Sequence, residues 1–375
     1  MKESSKIASF DKAKAAKFFR SFRIYGFLWT YVKTMGRFRP KYAVRLPIAI
    51  PRRKKHVGII GCGQFSFAAI GFFLRKNQGA VIKKCYDIDS KNGLSFARYY
   101  NALFVKKSEE IIEDPDISLV YIASNHASHT AYALAALKQG KEVYIEKPVS
   151  TSYDQFKQLN NEISNTNAKV YVGYNRPFSP AIKTVVEHLP DKRSPITLSC
   201  FITGHQIPKE HWYRNPEEGT RVCGNMGHWI DLAIHLFHYY KVPNIYNVHI
   251  AYSDENENDD NFTVVLTTEF SDLVTITLSA RQEPFEGINE TINIQTGDLI
   301  AKIDDFRRLD LWKGAKYRKW KFFRKNIGHE KTILQPFNGT GRNWVEMEKS
   351  SKIMLFIAEM VKVRKESATL NLDNL

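Results

Sequence analysis

The chain has 375 residues, an apolar fraction of 43% and four scattered cysteines, Cys62, Cys85, Cys200 and Cys223. That length suggests two or three domains, and the cysteine spacing points to reduced thiols rather than a disulfide framework or a CxxC zinc site. The net charge of +16 is concentrated at one end: residues 1–55 hold 16 Lys/Arg against only Glu3 and Asp11, so the nearly neutral remainder argues against a nucleic-acid-binding body.

The first segment, residues 1–55, is basic and aromatic. Phe18, Phe22, Tyr25, Trp29 and Val32 fall on one face of a helix, although Gly26 weakens it. Its open readings are docking of residues 1–50 on an anionic membrane surface, packing on the protein's own body or a second subunit, and a disordered arm. Residues 39–55, with Pro40, Pro47 and Pro51, read as a linker. No apolar run approaches the ~20 residues a bilayer span needs. With no secretion signal either, a cytoplasmic protein is expected, with membrane association at the inner face as the variant.

Residues 56–177 alternate strands and helices. A buried strand, His56–Ile60, runs into Gly61-Cys62-Gly63-Gln64-Phe65-Ser66, and a helix begins at Phe67. Two glycines let backbone approach a pyrophosphate at a helix N-terminus, although Ser66 stands where the usual pattern has a third. The strand Ala80–Tyr86 ends at Asp87, whose carboxylate can accept ribose hydroxyls and would repel a 2′-phosphate, favouring NAD over NADP. Helices at Asn92–Tyr100 and Ser108–Glu113, the strand Ser118–Ala123 and a helix at His129–Gln139 follow. The next strand, Glu142–Ile145, ends at Glu146-Lys147-Pro148, and Tyr171–Tyr174 supplies the last. This alternation implies a parallel doubly wound sheet with Lys147 at the strand ends, where such sheets hold cofactors. Asn125 and His126 follow a strand end, where they face the cofactor or cap the next helix.

Residues 178–375 read as α+β. Strands at Ile196–Phe201, Ile245–Tyr252, Phe262–Phe270, Leu273–Ser279, Thr291–Gln295 and Leu299–Ile303 suggest a mostly antiparallel sheet covered on one face by helices near 178–189 and 225–240. Lys313–Lys325 is a second basic-aromatic stretch, either on the membrane side or a twisted edge strand. An amphipathic helix, Trp344–Val361, closes the chain. His228, Asp231, His235 and His238 share a helix face. Catalysis, burial and metal binding all remain open for His228, but no HExxH pairing supports a metal and none is assigned. Arg176 and Arg221 are candidate anion binders, with ordinary ion pairs as the alternative.

The glycine turn, Asp87, the Ser124-Asn125-His126 loop with His129, and Glu146-Lys147-Pro148 together resemble the glucose–fructose oxidoreductase/inositol dehydrogenase (Gfo/Idh/MocA) family. Asn175-Arg176, Trp212, Arg221, Gly227-His228-Trp229-Ile230-Asp231 and Asp304-Asp305-Phe306-Arg307 extend the likeness over about residues 55–370. The set is most similar to a branch of surface-polysaccharide and sugar-nucleotide metabolism. The resemblance implies a Rossmann NAD domain followed by an α+β substrate and oligomerisation domain, assembled as a dimer or tetramer. It implies hydride transfer between nicotinamide and a sugar or nucleotide-sugar hydroxyl. Lys147 would hold the reacting oxygen, and His228 would act as general base. The implied cofactor contacts are Gly61, Gly63, Gln64, Phe65, Asp87, Ser124, Asn125, His126, His129 and Glu146. Those to substrate are Asn175, Arg176, Trp212, Arg221, Asn225 and Asp231. One departure stands out: Gly224 and Asn225 occupy the positions where family members carry an aspartate or glutamate. That departure motivates a second reading, a catalytically weak member that binds cofactor and serves as a scaffold or partner in glycan assembly.

Overall fold

A computed structural model describes residues 16, 18–40, 53–254, 259–284, 287–339 and 341–374. The linker predicted at 39–55 lies largely outside these residues. Helix 18–25 is followed by α1 (Phe27–Phe38), the two separated at Gly26 with φ of 83°. This break changes the predicted face: Ile24, off the expected stripe, is buried with Val32, whereas Phe18 and Phe22 are exposed.

Six parallel strands form the first sheet: β1 (Val57–Ile60), β2 (Ile82–Tyr86), β3 (Leu103–Phe104), β4 (Leu119–Ile122), β5 (Glu142–Ile145) and β6 (Val170–Val172). Their order, β3-β2-β1-β4-β5-β6, reverses direction between β1 and β4. Ligand crevices of open α/β sheets form at this switch point, outside the carboxyl ends of the strands. β1 and β4 are buried along their whole length because helices cover both faces, which explains their unbroken apolar runs. The covering helices are α2 (Gly71–Gln78), α3 (Ser90–Tyr100), α4 (His129–Lys138) and α5 (Tyr153–Ser164).

The second sheet has nine strands: β7 (Thr197–Thr203), β8 (Ile245–Tyr252), β9 (Asn261–Thr268), β10 (Leu273–Ser279), β11 (Asn289–Thr296), β12 (Leu299–Asp304), β13 (Arg308–Lys313), β14 (Lys316–Lys321) and β15 (Ser367–Asn371). All neighbouring pairs are antiparallel except β7 with β10. Burial alternates along most of these strands, so one face packs on α6 (Gly227–His238) and α7 (Trp344–Lys362) while the other stays open. The stretch 313–325 includes the edge strand β14, and its end at Arg324 and Lys325 packs on the N-terminal helices at Gly26 and Ile24. The chain does not close with the helix. β15 follows α7 and pairs with β8, a pairing that a five-residue polar strand does not announce.

Candidate active site

The glycine turn lies directly beyond β1. Gly61 has φ of 89°, and a Cβ there would sit 2.4 Å from the Ala123 carbonyl oxygen, so only glycine fits beside the end of β4. A Cβ on Gly63 would meet nothing within 4 Å, leaving open space over the turn. The Cys62 amide donates to Asp87 Oδ2 (2.6 Å) and the Asp89 amide to Asp87 Oδ1 (2.7 Å). Asp87 therefore ties the end of β2 to the turn while each oxygen keeps a lone pair for a ribose hydroxyl. Together these residues fit a dinucleotide. The helix after the turn opens with a wide π turn, Ser66–Ile70, in which the Ser66 hydroxyl is buried without a partner.

Lys147, joined to Pro148 by a cis bond, extends from the carboxyl end of β5, and its ammonium donates to the Gly224 carbonyl (2.6 Å). Burial lowers its pKa to about 8, with Glu146 opposing and Arg176 reinforcing the shift. Glu146 is buried beside it, accepts from the Tyr144 hydroxyl (2.9 Å), and is pushed up to about 7 by desolvation. Gly224 belongs to a second π turn, Val222–Met226, which leads into α6 and its second residue, His228. His228 is buried with Nδ1 unpartnered, and burial, then Arg176 and Lys147, hold its proton well below the usual imidazole range. The structure thus brings a titratable ammonium, a neutral imidazole and a glycine turn to the same ends of the strands.

Other predicted residues are committed elsewhere. Arg176 forms a buried ion pair with Glu290 (3.1 Å) and lies over the Trp229 ring. Asn175 is spent on the Ile327 carbonyl and the Arg176 guanidinium. Arg221 pairs with Asp260 (2.5 Å), although its Nη2 has no partner. Asp231 accepts from Arg342 (2.6 Å) and Ser350 (2.9 Å), so it clamps α7 onto α6. His235 bonds Glu346 (2.8 Å). His129 lies 2.7 Å from the Pro148 carbonyl through Nδ1, and burial lowers its pKa to about 4. A neutral ring donates from one nitrogen only, so His129 is a brace beneath the Lys147 turn. Asn125 donates to Glu218 (2.6 Å), His126 meets the Glu218 carbonyl, and Ser124 bonds Ser128 (2.7 Å). This loop therefore fastens to the 205–221 segment, whose Trp212 and Tyr213 rings pack on His126.

Several site neighbours carried no sequence signal. The Tyr213 hydroxyl donates to Asn225 Oδ1 (3.2 Å), and Glu218 is buried under the Asn125 loop. His329 packs against Phe65 and Trp29, with a pKa lowered to about 3 by burial and by Arg176, Lys33 and Lys147. α1 reaches the glycine turn itself. Trp29 donates to the Ala68 carbonyl (2.9 Å), Gln64 donates to the Lys33 carbonyl (3.0 Å), and Arg39 donates to the Cys62 carbonyl (2.5 Å) while lying over Phe67. These are contacts between residues distant in sequence, invisible to local pattern.

Residues 55–174 match the model of an oxidoreductase family with an NAD-binding Rossmann fold, GFO_IDH_MocA. An inositol 2-dehydrogenase/D-chiro-inositol 3-dehydrogenase of Lacticaseibacillus casei is 29% identical over 43% of this chain and 53% of its own length. An inositol 2-dehydrogenase of Acidothermus cellulolyticus is 30% identical over 49% of this chain and 54% of its own. The chain spans about half to three fifths of the length of the curated relatives it matches. Solved structures extend the fold likeness across both domains. A levoglucosan dehydrogenase in complex with NADH and L-sorbose superposes with TM-score 0.70 at 14% identity, covering 86% of this chain and 100% of that one. The UDP-N-acetylglucosamine 3-dehydrogenase of Acidithiobacillus ferrooxidans gives 0.68 at 14% identity over 82% and 98%. The glycine turn, Asp87 and Lys147 all lie within residues 55–174, the part of the chain that matches the NAD-binding Rossmann fold of the Gfo/Idh/MocA oxidoreductase family.

Proposed function

We propose that this chain is an NAD-dependent oxidoreductase acting on a hydroxyl or keto carbon of a sugar or nucleotide sugar in surface-glycan biosynthesis. The observation that carries the reading is Lys147, bonded to Gly224 beyond β5, with the unpartnered Nδ1 of His228 within electrostatic reach. Bound NAD would accept the carbon-bound hydrogen as hydride. Gly61 and Gly63 would admit its pyrophosphate, and Asp87 its adenosine ribose, which disfavours NADP.

The proton roles differ from the family expectation. A buried imidazole beside Lys147 and Arg176 resists protonation, so His228 accepts a hydrogen bond from the substrate hydroxyl without keeping its proton. Lys147, titrating at about 8, sits close to working pH and is the group that takes or returns the proton. Sugar and nucleotide-sugar dehydrogenases among the similar structures support this substrate class. The open face of the nine-stranded sheet supports a homo-oligomer.

The test is NADH fluorescence titration followed by turnover of myo-inositol, L-sorbose and UDP-N-acetylglucosamine with NAD. Binding plus turnover of one substrate supports the enzyme. Binding without turnover of any favours the scaffold, and absence of binding sinks both. Replacing Asp87 by Ala should bring the NADH and NADPH affinities together.

One surface favours peripheral contact with an anionic membrane. Phe19 (65% exposed), Phe27 (49%) and Phe323 (93%) stand out from the body beside Arg23 and Arg324. Arg324 packs against Gly26 and lies over the Phe323 ring, which brings Phe323 beside the Gly26–Phe27 turn. Co-sedimentation with phosphatidylserine vesicles should fall for Phe27→Ser/Phe323→Ser, and unchanged sedimentation discards the contact.

A further inference from the structure

The absence of a side chain at Gly224 leaves no gap. A Cβ built on Gly224 would lie 1.6 Å from the Tyr213 hydroxyl oxygen and 2.0 Å from its Cζ, so the tyrosine already fills the volume that a residue-224 side chain would take. On the same residue the Gly224 carbonyl receives the Lys147 ammonium (2.6 Å). Phenol and ammonium therefore both converge on residue 224.

We propose that Tyr213 is a positioning residue for Lys147: it fills the space of a residue-224 side chain with a neutral hydroxyl and buttresses Gly224, whose carbonyl holds the ammonium. The proposal rests on the proposed function for its catalytic consequence, but not for its geometry. Three observations bear on it. The hydroxyl is held by Asn225 Oδ1 (3.2 Å), and Asn225 also accepts from the Arg221 guanidinium (3.3 Å). The ring is wedged edge-on against His126 at 4.9 Å, and His126 in turn feels the Lys147 charge. Burial keeps the phenol protonated far above neutrality, so it acts as a hydrogen-bond donor and not as an anion.

The exchange changes the charge around Lys147. An aspartate at 224 would place an anion within a few ångströms of the ammonium and stabilise its charged form. The groups that face Lys147 now are Glu146 and Cys223 on one side of the balance, and Arg176, His126, His129, His228 and His329 on the other. Of these only Glu146 is a carboxylic acid, and burial itself keeps it partly protonated near neutral pH. With a phenol at the 224 position, Lys147 lacks the anionic partner that would lock its proton in place, and it can exchange that proton at physiological pH. The Gly224–Tyr213 pairing thus tunes the lysine instead of marking a defective site.

The experiment compares Tyr213→Phe, Gly224→Asp and Tyr213→Ala/Gly224→Asp in the full chain. It uses thermal unfolding, NADH fluorescence titration, turnover of the sugar found active with the wild type, and 13Cε-lysine NMR with Lys147 assigned through Lys147→Ala. Gly224→Asp alone should lower the melting temperature sharply, because its Cβ meets a tyrosine held by Asn225 and packed on His126. The double variant should recover most of that loss, which separates shared space from simple damage. In the double variant the Lys147 resonance should titrate at least one pH unit higher than in the wild type. Tyr213→Phe should keep the melting temperature and hold NADH affinity within twofold, yet lose at least tenfold in kcat with little change in KM. A Lys147 titration that does not move in a folded double variant overturns the proposal, as does Tyr213→Phe turning over at the wild-type rate. A wild type that binds no NADH overturns the proposed function instead, while the stability cycle and the lysine titration still decide the positioning role.

Discussion

Lys147 is the residue on which most of the site depends. Its ammonium is held by one carbonyl in a buried setting, so the site trades solvation for a proton that can move near neutrality. Lys147→Ala is expected to lower kcat by about 10²–10⁴-fold, the range for a lost acid–base or electrostatic group, while NADH affinity changes little. Stopped-flow measurement of NADH formation checks this, and a loss below tenfold removes Lys147 from the chemistry. The direction of the reaction should reveal the proton role. Oxidation of the sugar should gain rate as pH rises through about 8, and reduction should lose it over the same window. Opposite limbs would show that the charged lysine only holds the oxygen. Glu146 contributes in the other sense. Its folded pKa of about 7 exceeds the ordinary 4.5, so the folded state binds the extra proton and stability falls as pH rises from about 4.5 to 7. Glu146→Gln should flatten that fall, on the order of 1–3 kcal/mol, in urea titrations at the two ends of the window.

At the scale of elements, two helices begin with π turns, and both line the site: Ser66–Ile70 after the glycine turn and Val222–Met226 beside Lys147. Such turns are rare and gather at functional positions because they displace a carbonyl or side chain from its helical place. α1 is the other unexpected element. Its Trp29, Gly36 and Arg39 pack on the glycine turn and on Phe67, so the basic extension is built into the cofactor side of the domain. Removing residues 1–40 should therefore lower the melting temperature and weaken NADH binding by about tenfold, the equivalent of 1.4 kcal/mol. Fluorescence titration of the truncated chain checks this. Unchanged affinity would leave α1 as a surface appendage with no influence on the turn.

Across the whole molecule, buried polar contacts tie together elements distant in sequence. Arg342 binds Asp231 and Glu346, tying α7 to the helix that carries His228, and Arg176 binds Glu290 between the end of β6 and β11. Removing one member of a buried ion pair strands its partner's charge, at a cost of about 3–5 kcal/mol. Arg342→Met should lose about that much in urea unfolding and reduce turnover through displaced α6. A loss below 1 kcal/mol would mean that solvent reaches the pair. The free energy of these pairs goes into orientation, since a well-packed apolar substitute for both members can be as stable.

The sequence by itself determined the parallel sheet, its glycine turn, Asp87 and the position of Lys147, because each is encoded locally. Apolar runs mark buried strands, glycine marks a backbone that no side chain can occupy, and a Lys-Pro pair marks a strand end. It also indicated the antiparallel second domain, through alternation along β8–β12. What only the tertiary structure decided were the partners of its polar residues. Arg176 and Arg221 read alike as anion binders or as ion pairs, and Asp231 as a substrate contact or a structural hydrogen-bonding residue; the fold gives each an ion-pair partner in Glu290, Asp260 and Arg342. Tyr213 lies eleven residues before Gly224 with no periodic relation to it, and only the folded loop sets its hydroxyl where a side chain is missing. α1 and β15 likewise draw their meaning from contacts with distant segments, whose energetics depend on desolvation and packing that no local pattern records.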